Sequence, residues 1–366
     1  MINAFDITDF GAIGDRKTDN TKAIQAALDA ASSVRGTVII PPGEFLTGHL
    51  HLHGQGVSMQ GTAAWNYRSD GASILYLNDP ETDCLLDISG AFGATIRDLC
   101  LNGQDLGENI HGIKSWWPEY NGGAEEDTPT IDNCRIGCFT GNGLHLEHIW
   151  CFSVRHSMIH RNGGAGLYID GWDGFILDNW FTANKGGGIL SGPVLASITC
   201  TGNRVEWNGR GGFILPFGDS YNITGNFFDR SFGPALELGN EEAGSASLVT
   251  VTGNIFRRSG ARRAETDVFE KPEWNCHIYM RHCTDTVVMG NTMRVGKNDG
   301  GTGVLSPDYS FIIEDCDNCI IKDNTMERGA LVENMVLRGD HSTCIIDENI
   351  GKIADPNTGT ASSLLN

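Results

Sequence analysis

The sequence predicts an all-β fold: a single-stranded right-handed parallel β-helix, a solenoid with a short N-terminal capping helix. Three observations predict it. Asparagines recur as Asn133, Asn179, Asn203, Asn226, Asn254, Asn291, Asn324 and Asn349, in steps of 46, 24, 23, 28, 37, 33 and 25, and His156 falls midway across the double first step. Each later rung follows apolar alternation, as in Ile-Thr-Cys-Thr-Gly-Asn203, Ile-Thr-Gly-Asn226 and Val-Thr-Val-Thr-Gly-Asn254. Glycine is abundant, 48 residues against 11 prolines, which suits many tight turns. A polar residue returning once per few tens of residues marks one coil of a stacked repeat.

The elements follow in order. Residues 1–60 form an entry module of capping helix and first coil. Ile24, Ala27, Leu28 and Ala31 have helical spacing, with Asp19, Asn20 or Thr21 as cap candidates. Such a helix covers the open end of a solenoid, where core and strand edges would be bare. Residues 61–352 form the β-helix. Its early coils carry insertions, the largest at 104–128 with Trp116 and Trp117. Residues 353–366 read as a tail. Between 130 and 242 the coils are compact. Their last strands are Gly143-Leu-His-Leu-Glu147, Gly166-Leu-Tyr-Ile-Asp170, Gly188-Ile-Leu-Ser-Gly192, Gly212-Phe-Ile-Leu-Pro216 and Ala235-Leu-Glu-Leu-Gly239. A period of two turns Leu144, Leu167, Ile189, Phe213 and Leu236 inward and the alternate residues outward.

Charge narrows the function. The net charge of −20 argues against nucleic acid, which needs clustered Lys and Arg. It also makes neutral carbohydrate an easier partner than a polyanionic glycan. No run approaches the length of a membrane span. The N-terminus shows no basic region followed by an apolar core, so a cytoplasmic location with reduced cysteines is expected. Eleven cysteines, an odd number, agree with that. Cys316 and Cys319 have metal-ligand spacing without a second pair, so they read as core residues. No metal or cofactor is implied.

The run Asp6-Ile-Thr-Asp-Phe-Gly-Ala-Ile-Gly-Asp15, with Thr18-Asp-Asn-Thr-Lys-Ala-Ile24 and Ile40-Pro-Pro-Gly-Glu-Phe45, resembles the N-terminal signature of the pectate-lyase-like β-helix superfamily. From about 130 to 350 the coil lengths, and Asn254-Ile-Phe-Arg-Arg258, are similar to inulin fructotransferases. That resemblance implies a trimer and intramolecular fructosyl transfer. The chain departs from both patterns. Where polygalacturonases of the superfamily hold Asp, it has Gly143, Gly166, Gly188 and Gly212. Arg155 or His156, and Tyr168, stand where fructotransferases carry a catalytic Asp and Glu.

The outward column then supplies candidates. Glu147 and Asp170 lie one coil apart, about 4.8 Å by strand spacing, near the separation used by retaining glycosidases. Asp173 and Asp219 lie two coils apart in the following turn, which suits an inverting pair, and Glu237 lies one strand away. Glu206 and Asp229 form a further adjacent-coil pair on another face. Each set also fits an acidic strip or turn-forming aspartates on an acidic protein. Trp116, Trp117, Tyr168 and Trp172 offer faces for sugar rings, while His145 and Arg281 offer polar contacts. His49, His51 and His53 share a strand face, more simply a polar strand than a metal site. These residues point to a carbohydrate-active enzyme that cleaves or transfers a glycosidic bond. A lyase or epimerase is the alternative, followed by a glycan-binding β-helix.

Overall fold

A computed structural model describes residues 3–62, 65–116, 127–261 and 271–355. The chain forms two compact units, Met1–Trp180 and Phe181–Asn366. The division read at residue 60 falls inside the first unit, because the helix Thr21–Ser32 packs on the strands Ala4–Asp6, Thr37–Ile39 and Leu50–His51. Ile24, Ala27, Leu28 and Ala31 are fully buried there, as their spacing required. Asn20 is the backbone cap, but its side chain turns away to accept from Ile13 N–H and donate to the Leu46 carbonyl. Asp19 takes the Thr21 N–H instead.

Both units are coils of parallel β-helix. In the first, Ile131 pairs with Val154, Ile136 with Ile159 and Leu144 with Leu167. In the second, Phe213, Leu236, Ile278 and Phe311 form one inward column, and Phe228 stacks on Phe256 at 4.9 Å. Leu144, Leu167, Ile189, Phe213 and Leu236 are all buried, so the period of two held. Eight of the eleven cysteines are buried.

The ladder has a two-residue logic. In the second unit Asn203 Nδ2 donates to Asn226 Oδ1 at 2.9 Å, and the same bond repeats to Asn254, Asn291, Asn324 and Asn349 at 2.9–3.0 Å. Each Oδ1 also accepts the rung's backbone N–H, and Nδ2 reaches a strand carbonyl such as Cys200 O. Asn203, Asn226, Asn254, Asn291 and Asn324 are buried away from solvent, and the amide stack satisfies their polar groups. The residue before each rung is left-handed: Gly202, Gly225, Gly253, Gly290 and Asp323 have φ of 70, 67, 63, 68 and 56°. Glycine fits there without steric cost.

That logic corrects the first rungs. Asn133 and His156 are the left-handed residues, at φ 51 and 49°, and not the rungs. Cys134 N–H donates to Ser157 Oγ, and Ser157 N–H donates to Asn179 Oδ1, each at 3.0 Å. His156 is exposed and bonds Asp132 at 2.8 Å. A second ladder escaped the sequence reading: Phe139 N–H donates to Asn162 Oδ1 in the first unit and Asn184 N–H to Asn208 Oδ1 in the second.

Glu206 and Asp229 are buried in ion pairs with Arg230, and Asp229 also binds Arg258 Nε at 2.7 Å. Buried carboxylates held this way are structural, since losing either partner strands a charge.

Asn226→Ala should cost roughly 2–4 kcal/mol, because several buried partners lose a bond at once. Gly253→Ala, where a Cβ meets nothing within 4 Å, should cost only about 1–2 kcal/mol of left-handed strain. Calorimetric melting should show the larger fall for Asn226→Ala; equal falls would mean the ladder adds nothing.

Candidate active site

In the first unit the strand Leu144–Trp150 turns His145 and Glu147 outward and buries Leu144 and Leu146. It pairs in parallel with Ala165–Leu177, setting His145 beside Tyr168 and Glu147 beside Asp170. The register then slips between Glu147 and Ile149, with His148 left-handed at φ 53°. This bulge ends the outward pair and re-aims Trp150.

One residue arranges the histidines. Asn142 Oδ1 accepts Ala165 N–H at 2.8 Å, which points its Nδ2 at His145 Nδ1, 2.8 Å away. His145 Nδ1 is therefore the acceptor, and Nε2–H donates to Glu147 Oε1 at 3.1 Å. The backbone N–H of Asn142 donates to His111 Nδ1 at 2.9 Å, so His111 also carries its proton on Nε2. His111 stacks on His145 at 4.3 Å and His145 on Tyr168 at 4.7 Å. Burial lowers the His111 pKa to about 4 and also lowers that of His145, against the opposing pull of Glu147. Burial, with the Glu147 and Asp170 charges, raises the Tyr168 phenol. The face thus presents two neutral imidazoles, a protonated phenol and two carboxyl groups.

Lys114 pairs with His145 in register, and its Nζ donates to Asp83 at 2.6 Å. Burial works against the Lys114 charge, but the Asp83 bond outweighs it and its pKa rises. Among the described residues His49, Asp83 and Cys84 are close enough to share a metal ion. Lys114 already holds that carboxylate, and burial raises the Cys84 thiol, so the set is poorly disposed to a cation. His51 and His53 do not join it; they bond the Ser89 carbonyl and Asp29.

Residues 4–214 match the family described as rhamnogalacturonase A/epimerase, pectate lyase-like. The chain belongs to that family. Residues 194–352 match a right-handed β-helix region, which supplies the handedness. Mannuronan C5-epimerase AlgE4 of Azotobacter vinelandii is 28% identical over 193 residues, 49% of this chain and 34% of that protein. Alginate lyase 7 of the same organism is 28% identical over 193 residues, 50% of this chain and 22% of its own. The matches thus span about a third or less of these relatives. The AlgE4 A-module structure superposes with a TM-score of 0.69 at 18% identity, covering 96% of this chain and all of the module. DFA-IIIase from Arthrobacter chlorophenolicus A6 superposes at 0.65 and 13% identity, covering 97% and 98% of the two chains. At those identities the likeness is one of fold, and it agrees with the fructotransferase-like coils.

In this pectate lyase-like chain Glu147, Asp170, His145 and Tyr168 come together as the register required. Asp170 is only 5% exposed, whereas the Glu147 side chain is 25% exposed. Trp172 pairs with Trp150, whose indole N–H donates to Asp173 Oδ2 at 2.6 Å, so Asp173 serves the turn. Asp219 lies in the second unit, where its carboxylate accepts from Ser220 and Ser247. Asp173 and Asp219 thus each have local hydrogen-bond partners within their own unit. Glu237 is buried beside Arg210, and Arg281 bonds Glu241. Trp116 is exposed, and Trp117 lies outside the described residues. Sequence reading missed Asn142, His111 and Lys114. The last two sit on His111–Ser115, a coil without an asparagine rung, and Asn142 acts through hydrogen bonds that spacing does not encode.

Two predictions follow from the lowered imidazoles. Their contribution is whole above the unfolded His pKa of about 6.5 and is lost as pH falls toward the folded value of about 4 for His111. Melting temperature should therefore drop below pH 6.5, and His111→Gln should flatten that limb; an unchanged limb would assign it to carboxylates. Asn142→Asp keeps the Ala165 bond but offers His145 Nδ1 an acceptor. Long-range ¹H–¹⁵N spectra should show His145 moving from the Nε2–H to the Nδ1–H tautomer, and an unchanged tautomer refutes the assignment.

Proposed function

We propose that the chain modifies an acidic polysaccharide by proton transfer, as an epimerase or lyase, on the outward face of its first unit. The observation that carries this is His145, half-buried and neutral, donating to Glu147 while stacked on Tyr168. Glu147, half-buried but more accessible than Asp170, is the base, positioned to remove the proton α to a sugar carboxylate. Tyr168, kept as a phenol, is the acid. Its proton goes back to the carbanion carbon in epimerisation, or to the departing glycosidic oxygen in β-elimination. Lys114, one coil away in the His145 column, is the cation nearest in register to the developing charge. The relatives named as epimerases and a lyase support this reading.

The register of Glu147 with Asp170 favours a second reading, cleavage or transfer of a glycosidic bond by a carboxylate pair, with fructan-type transfer and a trimer as its narrowest form. It needs Asp170 to meet the substrate, and Asp170 is nearly covered.

Reaction in D₂O separates the two. Epimerisation gives products that gain deuterium at the inverted carbon, elimination gives an unsaturated end, hydrolysis adds water and cyclising transfer does not. Tyr168→Phe and Glu147→Gln should each lower turnover by roughly 10²–10⁴-fold, while Asp170→Asn costs far less. A loss with Asp170→Asn as large as with Glu147→Gln, while Tyr168→Phe stays active, would transfer the assignment to the carboxylate pair.

A further inference from the structure

The second unit holds a cleft of its own, of about 360 Å³, lined by Arg210, Lys271, Arg281, Glu237, Pro216 and Phe217 among others. The chain has 26 basic residues against 46 acidic ones, yet three of the 26 converge here, on a lining that also carries Glu237, Glu241 and Glu242. None of the three is tightly satisfied. Arg210 Nη2 stands 3.4–3.5 Å from the Glu237 carboxylate oxygens, beyond the roughly 2.7–2.9 Å of a closed charge-assisted bond. Lys271 makes no ion pair or side-chain hydrogen bond among the described residues, and it is exposed. Arg281 bonds Glu241, whose side chain is 80% exposed, a tether that solvent weakens. Its buried Nε has no hydrogen-bond partner among the described residues, with Glu314 Oε2 3.9 Å away and already accepting from Tyr279 Oη at 2.9 Å. Glu237 is buried and orients Arg210. Burial also raises the Glu237 pKa against the pull of Arg210 and Lys271, which shows how costly a lone negative charge is at that depth.

We propose that this cleft binds an acidic saccharide through an oxyanion, a carboxylate or a sulfate, held by Arg210, Lys271 and Arg281. Pro216 and Phe217, both half-buried, form the apolar wall for the face of the sugar ring. Asn240 and Glu242, also on the lining, meet its hydroxyls. Planar guanidinium groups fit a two-oxygen anion, and Lys271 adds a point charge on a flexible stem. Arg210 already lies over the Trp274 ring, 5.3 Å from its centroid, so an anion here gives Lys271 a partner and gives Arg210 and Arg281 closer ones than Glu237 and Glu241 supply. The site is built from residues other than those of the proton-transfer face and stands whichever reaction that face performs.

Calorimetric titration of the full chain tests it, using a galacturonate trisaccharide, a sulfated galactose trisaccharide, the neutral galactose trisaccharide and inorganic sulfate as probes. One or both acidic trisaccharides should bind at least about tenfold more tightly than the neutral one, with affinity falling as salt rises. Which of them binds identifies the anion. Lys271→Ala and Arg281→Ala should each weaken binding about tenfold without altering the melting temperature by more than a degree or two. Arg97→Ala, at an exposed cation of the first unit, should bind as the parent does. Equal binding of the neutral sugar, or parent-like binding by both cation variants, overturns the proposal. Inorganic sulfate displacing the trisaccharide at equal concentration would also overturn it, because the seat would then ignore the sugar.

Discussion

The structure depends on one pair of neighbouring positions repeated coil after coil: a left-handed residue followed by a buried amide. The left-handed residue turns the chain between strands, and the amide then closes the gap that the turn leaves in the backbone hydrogen bonding. Neither works alone. A turn without the amide would bury unpaired N–H and C=O groups, and an amide without the turn would not reach the next coil. Because each rung bonds its neighbours above and below, the strands can be only a few residues long and still hold register.

Register in turn builds the outward face. With inward positions filled by Leu144 and Leu167, the residues between them have no choice but to face out, and His145 meets Tyr168 as Glu147 meets Asp170. The bulge at His148 stops the pattern after two outward pairs. Within this frame Asn142 performs a local task with large consequences. It spends its backbone N–H on one imidazole and its side-chain amide on another. Two ring protons are thereby fixed on the far nitrogens, one of them aimed at Glu147. Burial keeps both rings neutral, so the face holds proton donors without holding extra positive charge.

Net charge and local charge give different answers about the partner. The total of −20 speaks for a neutral substrate, since long-range fields repel anions. Salt screens those fields within about 10 Å, and a ligand in a cleft feels the side chains that line it. In the second unit those include Arg210, Lys271 and Arg281 alongside Glu237, Glu241 and Glu242, so the cleft is far less acidic than the chain as a whole. Glu206, Asp229, Arg230 and Arg258 show the opposite case, in which opposite charges close on one another.

By itself the sequence determined the fold class, the inward columns, the capping helix and the coil positions of Glu147, Tyr168 and Asp170. Those follow from periods of two and of one coil, and such periods are written in the order of residues. It misplaced Asn133 and His156 by one residue, because glycine, asparagine and histidine can all stand at a left-handed turn while only side-chain bonding reveals which position is the rung. Tertiary structure alone decided which acids are accessible, which are consumed by ion pairs or turns, and which nitrogen of His145 carries the proton. Those properties depend on what lies across the coil, at sequence distances of 23 residues and more, where spacing says only that two side chains are near and not what each has already bonded.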